Sequence, residues 1–187
     1  KTGDNIRNAG TNHGSVTHTA ALAAADQGRS VRLLTTGMGS LAISGGSVDF
    51  LGYADGRFAA DPWQGLAMLP EDHPYSLLGA ESVRSAFQFF ANVMEGQHWP
   101  MRPALSQDGT PRNTQLPTIM GTLKPTYLLP ASLHTEALAS AKKVLVLSVQ
   151  GLRDCRPSLV VSQLRRYKSW ADKEFTQGLL PSPFGDT

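Results

Sequence analysis

The 187-residue sequence is 41% hydrophobic and 17% charged, and its 17 Lys and Arg against 15 Asp and Glu leave a formal charge of +2. That apolar content supplies a core for one globular domain and excludes an intrinsically disordered acidic or basic tail. The densest cationic groups, Lys142-Lys143 and Arg165-Arg166-Tyr167-Lys168, read as edges of secondary structure, so nucleic acid is not an expected partner.

Cys155 is the only cysteine, which excludes an intrachain disulfide or a cysteine-ligated cluster built by this chain alone and fits a reducing, cytoplasmic setting. The longest apolar run, Val144 to Val149, is strand-sized and far short of the roughly 18 to 20 residues of a membrane helix. Direct membrane insertion is therefore not expected; contact with a membrane would come through a partner. His73, His98 and His134 fall in separate segments, and His13 and His18 are not at the i, i+4 spacing of a helical zinc pair, so no metal site is expected.

In chain order, residues 1–18 are polar and glycine-rich and read as an irregular N-terminal segment. The Ala-rich run from Thr17 to Gln27 predicts a helix ended by Gly28 in a left-handed cap, and Val31 to Leu34 predicts a short strand. Residues 36–53 hold five glycines and three serines among the apolar Leu41, Ile43, Val48 and Phe50, a packed loop whose backbone permits close approach. Asp55-Gly56 reads as a turn, Pro62 starts a short helix carrying Trp63, and His73-Pro74 reads as a break. Val83, Phe87, Phe90 and Met94 then form the apolar stripe of a helix from Ala80 to Glu95.

Residues 97–118 carry four prolines and no periodicity, and read as a covering loop; Gly121 to Pro130 reads as an extended piece. Val144 to Val149 predicts a strand buried on both faces. Gly151 turns the chain, Asp154 is a candidate cap, and Pro157 opens a helix reaching Tyr167. Beyond Trp170 the pattern dissolves. Helices alternating with strands give an α/β class.

Four segments, GMGSLAISGGSVDFLGY (37–53), HPYSLLG (73–79), GTLKPTYLLP (121–130) and KKVLVLSVQGLRD (142–154), together resemble the N-terminal part of the B subunit of anaerobic glycerol-3-phosphate dehydrogenase. The resemblance runs from about Thr19 to Arg166. It implies a Rossmann-like flavin-binding fold with a mostly parallel sheet, incomplete relative to the longer family members, over residues 19–187. It implies FMN or FAD as cofactor, and as partners a catalytic flavin subunit and an iron–sulfur membrane-anchor subunit. The implied reaction is oxidation of sn-glycerol 3-phosphate to dihydroxyacetone phosphate, with electrons passing toward quinone. The implied setting is the cytoplasm, at the inner face of the cell membrane through a partner subunit.

Two departures from that pattern matter. The three glycine positions of the family's G-x-G-x-x-G fall on Asn12, Gly14 and Thr17, so only Gly14 survives. At the end of the strand near Val31, where dinucleotide-binding folds place an acid on the ribose, stand Thr35 and Thr36, which agrees with a cofactor lacking adenosine. The candidate cofactor contacts are Gly14, Thr35, Thr36, Ser40, Ser44, Gly45, Gly46 and Ser47, hydroxyls and glycine amides that approach a ring or phosphate closely. Lys124 and Arg153, with Arg156 nearby, are the candidate cations for a phosphate dianion. Asp49 reads as orienting the glycine-rich loop or as capping it, with capping favoured, and Cys155 reads as an inert thiol; no residue identifies itself as a catalytic base. Two other readings stand beside this one: a cofactor-free α/β interaction module, and a phosphate-binding domain built on the turn from Gly151 to Pro157.

Overall fold

A computed structural model describes residues 14–33, 45–133 and 135–182. Helix α1 (Gly14–Asp26) opens three residues before the predicted start, so residues 14–18 of the segment expected to be irregular are helical. It closes where the glycine predicts: Gly28 has φ 73°, its N–H bonds the Ala25 carbonyl at 2.9 Å, and Arg29 N–H bonds the Ala24 carbonyl at 3.0 Å. This is the Schellman arrangement, in which a left-handed residue satisfies the last carbonyls of the helix. Residues 31–33 of the expected strand are irregular, with Val31 and Leu33 exposed. A strand exists through its ladder, and no described strand pairs with them.

Strands β1 (Tyr53–Ala54) and β2 (Arg57–Phe58) form a hairpin across Asp55-Gly56, both at positive φ as a tight two-residue turn requires. Asp61 caps α2 (Pro62–Leu66) by accepting from the N–H of Trp63 at 2.9 Å. His73, read as part of a chain break, is instead the N-cap of α3 (Pro74–Leu78), its Nδ1 accepting from Tyr75 N–H at 3.1 Å. Helix α4 (Ala80–Gly96) presents the expected stripe: Val83 is buried, and Phe87, Phe90 and Met94 pack on the same cluster.

The expected covering loop at 97–118 is a correction. It contains β3 (Met101–Leu105), β4 (Pro111–Arg112) and β5 (Thr114–Pro117), followed by β6 (Leu123–Thr126) and β7 (Leu128–Pro130). Asn113 alone separates β4 from β5, and Tyr127 alone separates β6 from β7. β3 pairs with both β4 and β7, and β5 pairs with β6, all antiparallel, so three kinked lengths of chain close on one another. The prolines hid this because each lacks a ladder donor; Pro103, Pro111, Pro117, Pro125 and Pro130 all occupy paired positions, and the strands are correspondingly short.

Phe50 is the centre of the core these elements enclose, 1% exposed, with its ring 4.6 Å from those of Trp63 and Phe87 and 5.5 Å from those of Tyr75 and Tyr127. Burying a phenylalanine this fully stabilises by about 1.5 to 3 kcal/mol. The one polar tip that meets another inside the cluster is satisfied: Trp63 Nε1 donates to Tyr127 Oη at 2.9 Å.

The remaining elements are α5 (Thr135–Ser140), β8 (Lys143–Val149), α6 (Pro157–Leu164), α7 (Lys168–Ala171) and β9 (Glu174–Leu180). Strand β9 lies where the sequence pattern fades, and it pairs parallel with β8 from Lys143 opposite Glu174 to Val149 opposite Leu180. The crossover buries Val160, Leu164 and Trp170 against Val144, Val146 and Phe175. The opposite face is open: Leu145 is 58% exposed and Leu147 43%. The β8 strand is thus covered on one face, not on both as expected: α6 and Trp170 of α7 pack on the side of Val144 and Val146, and no described strand or helix covers Leu145 and Leu147 on the other. The α/β class holds; of the expected mostly parallel sheet the described residues show one parallel pair, β8 and β9, while the other pairs are antiparallel, β1–β2, β3–β4 and β5–β6 through hairpins and β3–β7 across a longer connection. Gly121, at the tip of the β5–β6 hairpin with φ 74°, packs so closely on α6 that a Cβ there would lie 2.5 Å from the Val160 carbonyl oxygen.

Candidate functional site

The glycine-rich segment survives as a docked loop over residues 45–52. Gly46 has φ 77°, a conformation that favours glycine, and a Cβ built on Gly45 or Gly46 meets nothing within 4 Å among the described residues. The other side of the loop is held against β6 and β7. Val48 N–H bonds the Leu128 carbonyl at 2.9 Å, while the Val48 carbonyl accepts from Tyr127 N–H, Leu128 N–H and Thr126 Oγ1. Gly52 lies so close to β6 that an added Cβ would sit 2.7 Å from Pro125 Cβ. Phe50 then plunges into the aromatic core, and its carbonyl accepts from Asn113 Nδ2 at 2.9 Å. The same amide donates to the carbonyls of Leu51 and Ala59.

Lys124, on β6, completes this arrangement. Its Nζ donates to Ser47 Oγ at 3.0 Å and pairs with Asp49 Oδ1 at 3.0 Å. A residue singled out for substrate phosphate and one singled out for cofactor therefore meet, and Asp49, for which orienting the loop and capping it are the two expectations, is the carboxylate that joins them. Gly14 is the first residue of α1, where the surviving fingerprint glycine belongs. Thr35, Thr36, Ser40 and Ser44 lie outside the described residues.

Arg153 stands in a different place. It lines a cavity of about 690 Å³ at the carboxyl ends of β8 and β9, with Gln150, Cys155, Arg156, Ser158 and Gln177, and Lys124 is not among the lining residues. Open parallel sheets bind ligands at this end of their strands. Gly151 makes the turn at φ 88°, and Ser148 Oγ fastens it by donating to the Cys155 carbonyl at 2.9 Å. The N-cap of α6 is Arg156, not Asp154 as expected, and its side chain makes no capping bond. The N–H groups of the first turn have no intrahelical acceptor and favour an anion. The Cys155 thiol is half-buried and faces the Leu147 carbonyl at 3.8 Å.

A second cavity, about 280 Å³, lies between Asn113 and Thr114 of the antiparallel strands, Leu138 of α5 and Trp170 of α7. Lys173 closes its rim by donating to the Ala139 carbonyl at 3.0 Å, with Nζ 5.5 Å from the Trp170 ring centre. No group of three or more His, Cys, Asp or Glu able to hold a metal occurs among the described residues. No described helix is long and apolar enough to cross a membrane.

The residue that sequence reasoning missed is Asn113. It is 2% exposed and ties the glycine loop to the antiparallel strands, yet between Arg112 and Thr114 it carries no motif or periodicity that marks it. Asp49 and Lys124 were both noticed, 75 positions apart, but their pairing depends on the loop lying along β6.

Loop and helix geometry fit a flavin: α1 begins at Gly14, and the glycine turn at 45–46, where an added Cβ meets no described atom within 4 Å, leads into residues fixed on β6 and β7. Comparison with known proteins agrees. The model of the FAD binding domain family matches residues 18–173. The B subunit of anaerobic glycerol-3-phosphate dehydrogenase from Actinobacillus pleuropneumoniae is 30% identical over 173 residues, covering 88% of this chain and 39% of that protein. The probable B subunit of the same enzyme from Halobacterium salinarum is 35% identical over 142 residues, covering 73% and 30%, and the B subunit from Vibrio cholerae is 29% identical over 152 residues, covering 79% and 34%. The chain thus spans between 30% and 39% of the length of these curated relatives. No solved structure matches it. A Rossmann-like α/β flavin domain with FAD as its cofactor is what the match names, and this chain belongs to the FAD binding domain family.

Proposed function

We propose that this chain is the FAD-binding part of a flavin-dependent oxidoreductase subunit that oxidises sn-glycerol 3-phosphate to dihydroxyacetone phosphate, or relays the electrons of that oxidation toward quinone. The complex in this reading includes a catalytic flavin subunit and an iron–sulfur membrane-anchor subunit, at the inner face of the cell membrane. The observation that carries it is the glycine loop at 45–52, fastened to β6 and β7 through Ser47, Val48 and Asp49, inside a region matched by the FAD binding domain family.

Bound FAD supplies the hydride acceptor. The chain's own contribution is placement. Gly14 lets the backbone approach the cofactor phosphate at the start of α1. Gly45, Gly46 and Ser47 offer backbone amides and a hydroxyl, and Thr35, Thr36, Ser40 and Ser44 add hydroxyls from the same stretch of sequence. Arg153, with Arg156 and the first turn of α6, neutralises the phosphate dianion of the substrate. Lys124 serves the loop rather than the cavity.

A specific feature favours a second reading, a cofactor-free α/β interaction module: the open apolar face of β8 and β9 suits a protein partner. Fluorescence titration of the purified chain with FAD and with FMN separates the two. Saturable binding, tighter for FAD, is the expected result; binding of neither rejects the flavin reading in favour of the interaction module. In the same preparation, Arg153→Ala is expected to weaken glycerol 3-phosphate binding about tenfold without changing FAD affinity.

A further inference from the structure

Ser47, Asp49 and Lys124 form a contact that flavin binding as such does not require. The Lys124 ammonium reaches both Ser47 Oγ and Asp49 Oδ1 at 3.0 Å, with side chains 38% and 51% exposed for Lys124 and Asp49. On either side, the loop is bonded to the backbone of residues 126–128 through Val48 and touches Pro125 through Gly52. The loop is therefore laid along β6 and the start of β7 at Ser47, Val48, Asp49 and Gly52. Gly46 sits at φ 77°, a conformation that favours glycine, and fixing the residues that follow it narrows the conformations this glycine-containing loop samples. Holding it in one reduces the ordering cost of binding a ligand there.

We propose that Lys124 is a positioning residue for the flavin loop: by pairing with Asp49 and donating to Ser47 it pins residues 47–49 onto β6, so that the loop is held in one conformation for its ligand. This rests on the reading that the loop contacts flavin. It removes Lys124 from the phosphate-binding set and gives Asp49 a role it shares with Lys124 alone among the described ion pairs. The pin also couples the loop to the antiparallel strands, since Lys124 belongs to β6 and β6 is bonded to β5.

The test is a mutant cycle on the full chain, with FAD and FMN as probes and amide hydrogen exchange at residues 45–49 read in the absence of flavin. Lys124→Met and Asp49→Asn are each expected to speed exchange at 45–49 and to weaken FAD binding about threefold to fivefold, a scale set by partly exposed ion pairs. The double variant is expected to match either single one. Exchanging the charges, Lys124→Asp with Asp49→Lys, is expected to restore protection and affinity in part, which a merely structural lysine would not do. Unchanged exchange in both single variants overturns the pin. Faster exchange with unchanged affinity, in a chain that binds FAD, overturns the positioning role. If the unsubstituted chain binds neither flavin, the flavin reading fails and the positioning role with it, while exchange at 45–49 still decides whether the pin exists.

Discussion

The antiparallel strands around Phe50 and the parallel pair β8 and β9 are both small sheets, and they handle their apolar faces in opposite ways. In the first region β3 is paired on two sides, and Phe50, Met101, Tyr127 and Leu128 are all buried in one cluster with α4 beside them. In the second, α6 covers Val144 and Val146, while Leu145, Leu147 and Leu180 remain exposed. Parallel sheets are ordinarily covered on both faces, whereas antiparallel ones close locally through hairpins. Antiparallel pairing on both sides of β3 lets the first region enclose a core drawn from residues 50 to 128; the second has a finished face and an unfinished one.

The comparison is broken most severely at Asn113. Replacing it with Leu removes the donor shared by the carbonyls of Phe50, Leu51 and Ala59 and is expected to cost about 3 kcal/mol, measured by chemical denaturation. Asn113 Oδ1 is itself buried without a partner among the described residues, so the loss is carried by the amide nitrogen's side of the group. A change near zero would show that the loop is not anchored there. At the open face, Leu145→Lys is expected to alter stability by no more than about 0.5 kcal/mol, since Leu145 is 58% exposed. A loss above about 2 kcal/mol would mean that this face is covered and that the contrast between the two regions is false.

The smallest effect concerns the turn between β3 and β4. Asp108 is held at about 2, below its ordinary 3.8, first by the Ser106 hydroxyl and then by the Thr110 N–H. Because the folded value is depressed, the ionised form favours the folded turn. That contribution is complete above about pH 4 and is lost as pH falls through about 2. Asp108 is fully exposed, so the effect is local, and an NMR titration of the Thr110 amide is the fitting measurement. A midpoint near 3.8 would remove the side-chain seal from this hairpin.

Much of the helical part was legible in the sequence because helices announce themselves locally. The stripe of Val83, Phe87, Phe90 and Met94 and the cap at Gly28 depend on neighbours within a turn or two. The strands were less legible for a physical reason. β3, β4 and β5 contain prolines that weaken any strand signal, and β9 contains only Phe175, Leu179 and Leu180 as large apolar residues; both are specified by their partners. Val31 to Leu33 show the converse, a strand-like run with no described partner and hence no described strand. At the candidate site, the glycines and serines stood out by composition, and Lys124 stood out as a charge between apolar residues. What composition does not contain is that Asp49 and Lys124 meet, or that Asn113 lies beneath the loop.

The placement of the loop along β6 has a consequence for the order of synthesis. Residues 45–50 emerge from the ribosome well before Lys124, Thr126 and Leu128, to which they are fastened across separations of 77 and 78 positions for Lys124 to Ser47 and Thr126 to Val48. The two hairpins, by contrast, join residues a few positions apart and need nothing made later. A growing chain therefore makes the Ser47 and Val48 contacts to β6 only after residues 124–126 have been synthesised, so this loop is among the last parts of the region to be fastened to the strands.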